Sequence, residues 1–223
     1  MKIVIINGSP RKNGTTALIL NKLSYALQKY EDVDIQFIHV ADLLLKYCVG
    51  CGVCYKTGKC IYKDDAEKLS SDIASADGLI LGSPTYASNV SAQMKTIIDR
   101  GHFVMEQLLH GKYAISVTTY ENYGGGDSAK ILNRLLSYSG AKISGTIIVK
   151  RERPSNLIRR YLSDKYIEKL ADTLYQDIRL KRNYIFQSIK QLIIFRIGIK
   201  PFIEKNRSRY TGVIKHWKQQ KLV

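Results

Sequence analysis

Through the first 150 residues, short aliphatic runs closed by turn signals alternate one for one with helical apolar periods. The runs lie at 2–7, 34–40, 78–81, 112–117 and 143–149, and the segments 15–30, 64–76, 91–109 and 127–139 space their apolar residues at helical intervals. Strands separated by single helices must cross over, and repeated crossovers build a parallel sheet covered on both faces. Few other architectures accept this pattern. A six-stranded dinucleotide fold would need a second half that residues 150–223 do not supply.

Five strands so arranged predict a flavodoxin-like, doubly wound α/β domain with strand order 2-1-3-4-5. A long amphipathic helix over 161–182 completes it, so the domain is expected to span 1–182. Residues 184–199 are rich in Ile and Phe, Pro201 is expected to break them, and a basic end runs over 205–223. Residues 183–223 therefore read as a basic, amphipathic, helical C-terminal extension. Charge sets the two parts apart. Residues 1–149 carry a net charge of +3 and residues 150–223 one of +13. Three readings stand for the extension: it lies on an anionic membrane surface, wraps a partner subunit, or is simply solvated. No nucleic-acid module is recognisable, and nucleic acid is not an expected partner. No stretch has the ~18 apolar residues of a membrane span. No signal-peptide pattern is visible at the N-terminus either, so the chain is expected to work in the cytoplasm.

In a doubly wound sheet, ligands bind beyond the carboxyl ends of the strands where the strand order reverses. Three loops leave that edge. The first runs from Gly8 to Thr16 between a strand and a helix, where unpaired N–H groups and the helix dipole favour an anion. Ser9, Asn13, Gly14, Thr15 and Thr16 supply neutral donors, and Arg11 supplies a charge that can fork onto phosphate oxygens. Neither a triphosphate loop nor a dinucleotide fingerprint is present, so a single phosphomonoester fits best. The second loop offers Pro84, Thr85, Tyr86 and Asn89 around a flat ring, and the third offers Tyr120 and Gly124. Alone, these two would be ordinary turns.

Together the three loops, with Asn89–Lys95 and Asp99-Arg100, resemble the NADPH-dependent FMN reductase family over about residues 1–150. The resemblance implies non-covalent FMN. Its phosphate would lie on Ser9, Arg11, Asn13, Thr15 and Thr16, and its ring near Pro84, Thr85, Tyr86 and Asn89. It also implies NAD(P)H as a donor and a homodimer or higher homo-oligomer, with a redox partner or small-molecule acceptor. No side chain reads as a catalytic acid or base; the chemistry belongs to the flavin.

All four cysteines fall in one loop, as Cys48, Cys51, Cys54 and Cys60, in the spacing C-x2-C-x2-C-x5-C. Disulfide frameworks spread their cysteines along the chain, whereas a compact run of soft ligands suits a metal centre. The spacing is similar to that of the iron–sulfur flavoproteins within the same broad family, which implies a [4Fe–4S] cluster. Zinc and an unmetallated loop remain as alternatives, so a flavin or quinone reductase without a cluster stays open, as does a non-catalytic redox sensor or membrane-docked carrier. His39, His102, His110 and His216 show no metal spacing and read as packed or surface residues, and Asp64-Asp65 read as helix N-terminal chemistry.

Overall fold

A computed structural model describes residues 1–151 and 163–223. The strands β1 (Lys2–Asn7), β2 (Asp34–His39), β3 (Gly78–Tyr86), β5 (Tyr113–Tyr120) and β6 (Lys142–Lys150) pair in parallel, in the order β2-β1-β3-β5-β6. Counted alone, these five run 2-1-3-4-5, as the alternation predicts. An additional short strand, β4 (Asn89–Val90), folds back antiparallel onto Thr85 and Tyr86 through Ala87 and Ser88, both at positive φ.

Successive side chains of a strand point to opposite faces, and the core divides accordingly. Ile3 and Ile5 join one cluster beneath α1 (Thr15–Leu27) and α7 (Asp164–Leu180). Val4 and Ile6 join the other, beneath α3 (Ala66–Ser75), α4 (Ala92–Arg100) and α6 (Gly125–Tyr138). The helix expected over 161–182 is α7, capped by Ser163, whose hydroxyl accepts from the Tyr166 amide (3.2 Å). Residues 161 and 162 lie outside the described residues. Stacking of Tyr30 on Tyr175 (centroids 3.8 Å apart) fastens α7 to the segment after α1.

Three local expectations are corrected. The helix expected over 91–109 is two helices, α4 and α5 (Phe103–Glu106), separated at Gly101 and His102. A Cβ on Gly101 would lie 2.0 Å from the Phe103 ring, so the break is what lets Phe103 turn inward and become buried. The second loop is largely strand, because β3 continues through Pro84 to Tyr86. Pairing with β1 ends at Gly82, so Pro84 meets only β5 and its missing N–H faces a free edge. Pro201 does not break the tail. Helix α8 (Ile185–Ile193) passes through a π turn, Ile194–Ile199, into α9 (Lys200–Lys205) without interruption. The wider turn sits just where proline withholds a helical donor, and Pro201 falls in the first turn of the resumed helix.

The tail ends in α10 (Thr211–Gln219), which packs back onto the body of the same chain. Phe195, Ile203, Tyr210, Val213 and Trp217 form a third core with Tyr55 and Met105, and Trp217 Nε1 donates to the Met105 carbonyl (2.9 Å).

Candidate functional site

Two cavities with no shared lining residue concentrate the polar chemistry. The larger, about 690 Å³, lies at the carboxyl edge of the sheet and is within the usual size of a small-molecule site. Its floor is set by the chain leaving β1. Buried Asn7 accepts the Ser9 amide on Oδ1 (3.0 Å), Ser9 Oγ accepts the Arg11 amide (3.1 Å), and the Gly14 amide donates to the Arg11 carbonyl (3.2 Å). The loop is thereby curled before α1 begins. That helix has neither a side-chain cap nor an acid in its first turn, so its opening N–H groups are left for a ligand.

Of the residues expected to bind, Ser9, Arg11, Asn13, Gly14, Thr15 and Thr16 line this cleft from one side. Pro84, Thr85, Tyr86 and Tyr120 line it from the other. The threonines differ in role. Thr16 Oγ1 is bonded to Thr119 Oγ1 (2.7 Å) and ties the loop to β5, whereas Thr85 Oγ1 is buried with no partner among the described residues. A buried, unmatched hydroxyl beside the half-exposed Tyr86 ring is what a polar, flat ligand would complete.

Asn89 and Gly124 are not part of the lining. Asn89 turns its side-chain oxygen to the Val90 amide (2.8 Å). Gly124, at φ +81°, lies so close to Ser88 that a Cβ would come within 2.7 Å of it; it clamps the β3–β4 hairpin to α6. Sequence reasoning missed Lys12, Leu18, Thr119, Glu121 and Arg151, which also line the cleft. Arg151 adds a third cationic side chain to a lining that already holds Arg11 and Lys12, its amide donating to the Tyr120 carbonyl (2.6 Å) and its buried Nε lacking a partner among the described residues. Its place just past β6, on the carboxyl edge, was the available signal.

The second cavity gathers Cys48, Cys51, Cys54 and Cys60. Gly52 and Gly58 bracket α2 (Val53–Thr57) in left-handed conformations that an L side chain would resist, and these two turns fold the loop over itself. Cys48 and Cys51 are exposed and Cys54 and Cys60 half-buried. Among the described residues no three His, Cys, Asp or Glu side chains stand close enough to grip a single ion.

The wall is built by the foot of α4 and the turn after it. Arg100 donates from Nη1 and Nη2 to the two oxygens of Asp64 (2.9 and 2.8 Å), and Nη1 also donates to the Lys46 carbonyl. Their side chains are 3% and 6% exposed, a buried bidentate pair. Burial alone would raise the Asp64 carboxyl, but Arg100 and the Lys46 and Ala66 amides pull it below the ordinary carboxylate range. The Asp64-Asp65 pair therefore does more than open a helix: the two carboxylates accept the Lys46 and Leu44 amides and fasten the approach to the cysteine loop. Arg100 lines the cysteine cavity, and its buried Nε has no partner among the described residues. His102 borders it as well. Burial opposes its protonation, yet Cys54 and Glu106 (Nδ1 to Oε1, 3.2 Å) hold its pKa up at about 10.

Four soft donors facing one space, walled by an unmatched guanidinium N–H and a histidine, fit an anionic metal–thiolate group. The loop does not remain on the rim where it starts. Ser91, at the head of α4, donates to the Gly8 carbonyl of the first loop, while Arg100 at its foot walls the cysteine cavity. One nine-residue helix, ~14 Å long, separates the two places.

The family described as NADPH-dependent FMN reductase matches residues 1–152. An iron-sulfur flavoprotein of Clostridioides difficile is 35% identical over 226 aligned residues, covering 100% of both chains. Another, of Archaeoglobus fulgidus, is 38% identical over 147 residues, 63% of this chain and 64% of its own. Among solved structures, an apo NADH:FMN oxidoreductase superposes with a TM-score of 0.57 at 20% identity, over 82% of this chain and 90% of that one. RosB, with a bound flavin-phosphate intermediate, gives 0.65 at 15% identity, over 81% and 79%. At these identities the structural likeness is one of fold.

Proposed function

Because the chain belongs to the NADPH-dependent FMN reductase family, we propose that its cleft holds FMN without a covalent bond and its cysteine loop holds a [4Fe–4S] cluster. The protein is an FMN-dependent oxidoreductase of the electron-transfer kind. Flavin accepts electrons in pairs and releases them singly, and a cluster passes them one at a time.

The chain's own residues then have distinct tasks. Ser9, Arg11, Asn13 and the amides of Thr15 and Thr16 bind the phosphate, with Arg151 adding charge. Thr85 and Tyr86 orient the ring, and Thr16 braces the loop against β5. Cys48, Cys51, Cys54 and Cys60 ligate the cluster, while Arg100 and His102 present N–H groups to its anionic face. The observation that carries this reading is the convergence of all four cysteines on one cavity with an unmatched, buried Arg100 Nε.

NAD(P)H is the donor we assign, and the cytoplasm, where thiols stay reduced, is the compartment. A homodimer, with a redox partner or small-molecule acceptor, is the assembly we assign. Anaerobic purification tests the assignment: bound flavin absorbance together with about four irons and four acid-labile sulfides per chain is expected. A yellow, iron-free protein that still turns over NAD(P)H would reduce it to a reductase without a cluster. Negligible turnover with NADH, NADPH, quinones and ferricyanide would leave a carrier or sensor.

A further inference from the structure

The tail helix is amphipathic in the reverse sense. Its polar side faces the protein: the Gln187 amide group donates to the Ile143 carbonyl (3.1 Å) and accepts from the Ile143 amide (2.8 Å), and Gln191 Nε2 donates to the Ala141 carbonyl (2.5 Å). These contacts fall at Ala141 and Ile143, at the start of the outer edge of β6, the last strand of the sheet. They occupy the first backbone groups of an edge that could otherwise pair with another chain. The apolar side is consequently turned outward. Phe186 is 88% exposed and Ile197 73%, and Ile189 and Ile193 lie between them at three- and four-residue spacing. That spacing makes one stripe along α8 and the π turn. A contiguous stripe of large aliphatic and aromatic side chains in water calls for an occupant.

The charges around the stripe select it. Lys190 and Arg196 are both exposed and stand three residues to either side of Ile193, Lys190 about 60° off the stripe by α-helical geometry and Arg196 on the π turn that continues it. Residues 183–223 carry nine basic side chains and one acidic one, Glu204, which is paired with Lys200 (3.8 Å). A second copy seated on the same stripe would bring Lys190 and Arg196 against their own kind. An anionic lipid surface matches both features, because acyl chains take the stripe and phosphate headgroups take the flanking cations. Among the described residues no helix is long and apolar enough to cross a membrane, so such a helix would lie in the interface plane.

We propose that the α8–α9 rod docks this protein peripherally on anionic phospholipid, with Phe186, Ile189, Ile193 and Ile197 inserted and Lys190 and Arg196 at headgroup depth. The proposal does not depend on the redox assignment. The test is co-sedimentation of the full-length, flavin-loaded protein with vesicles of phosphatidylcholine alone or with about 30% phosphatidylserine. Binding to the anionic vesicles only is expected, weakening when salt is raised from about 0.1 M to about 1 M. The double variant F186E/I193E should lose binding about tenfold or more, with flavin content and circular dichroism unchanged because both positions are exposed. K190E/R196E should lose a comparable amount without touching the stripe, and it serves as the readout should the first variant fold poorly. Absence of binding to anionic vesicles, or binding that F186E/I193E leaves intact, overturns the proposal. So does a wild type that ignores vesicles and is an oligomer by light scattering that F186E/I193E splits; the face would then belong to a second copy.

Discussion

The two cavities are built on opposite principles. The cleft over β1, β3 and β5 is a by-product of the fold: its lining comes from strand ends whose positions the sheet dictates, and its loop closes through contacts between near neighbours such as Asn7, Ser9 and Arg11. The cysteine loop has no such frame. It is held from outside, by Arg100 reaching Asp64 across 36 residues and by the tail, where Thr211 Oγ1 donates to the Lys56 carbonyl (2.7 Å) across 155. Gly212 approaches so closely that a Cβ would come within 2.5 Å of the Gly58 nitrogen. A site made by strand ends survives damage elsewhere, while a site made by distant braces fails when a brace is removed. An ion pair between Lys12 and Asp42 links the first loop to the chain entering the second cavity.

Removing the proposed cluster ligands should give the widest separation. The double variant C51S/C54S is expected to lose all iron and sulfide while retaining flavin at one per chain, read by metal analysis and absorbance. Parallel loss of flavin would mean that the cavities are not independent. Next comes R100L, which leaves the Asp64 carboxylate buried and unpaired; a destabilisation of about 3–5 kcal/mol is expected in denaturant or thermal unfolding. W217A empties the third core and should cost about 3–5 kcal/mol. Its more telling readout is hydrogen exchange, which should quicken across residues 48–60 and stay unchanged across residues 8–16.

R11A should weaken flavin binding about tenfold, the scale of one charge-assisted hydrogen bond, with iron content untouched. The smallest effect concerns acid. Asp64 has a folded-state pKa below its unfolded value, so the unfolded chain binds its proton more readily in the interval between them. The stability it supplies is therefore complete above the ordinary carboxylate range near 4 and is lost as pH falls through the folded value. D64N should flatten that acid limb of a stability–pH curve, and an unaltered limb would assign it to other carboxylates such as Asp72, which is lowered in the same direction.

Much of the cleft was legible in the residues themselves. Its loops are contiguous in the chain, their edge follows from the crossover rule, and the side chains they carry need only local backbone geometry to converge. Thr16 shows the limit of that reading. Its type and place are those of a ligand donor, but its hydroxyl is committed to Thr119, a residue 103 positions away. Arg151 shows the converse, since its segment becomes part of the site only because β6 lies beside β5.

By itself, then, the amino-acid order determined the parallel sheet, its strand order, the curled loop ahead of α1 and the clustering of four thiols, because each depends on periodicity or on neighbours within a few residues. Only the tertiary structure decided that Arg100 and His102 wall the cysteine cavity, that α10 braces it, and that the tail helix turns its glutamines in and its isoleucines out. Those outcomes rest on which buried carboxylate meets which guanidinium and which sheet edge needs covering. Such pairings join groups far apart in the chain, and no local pattern encodes them.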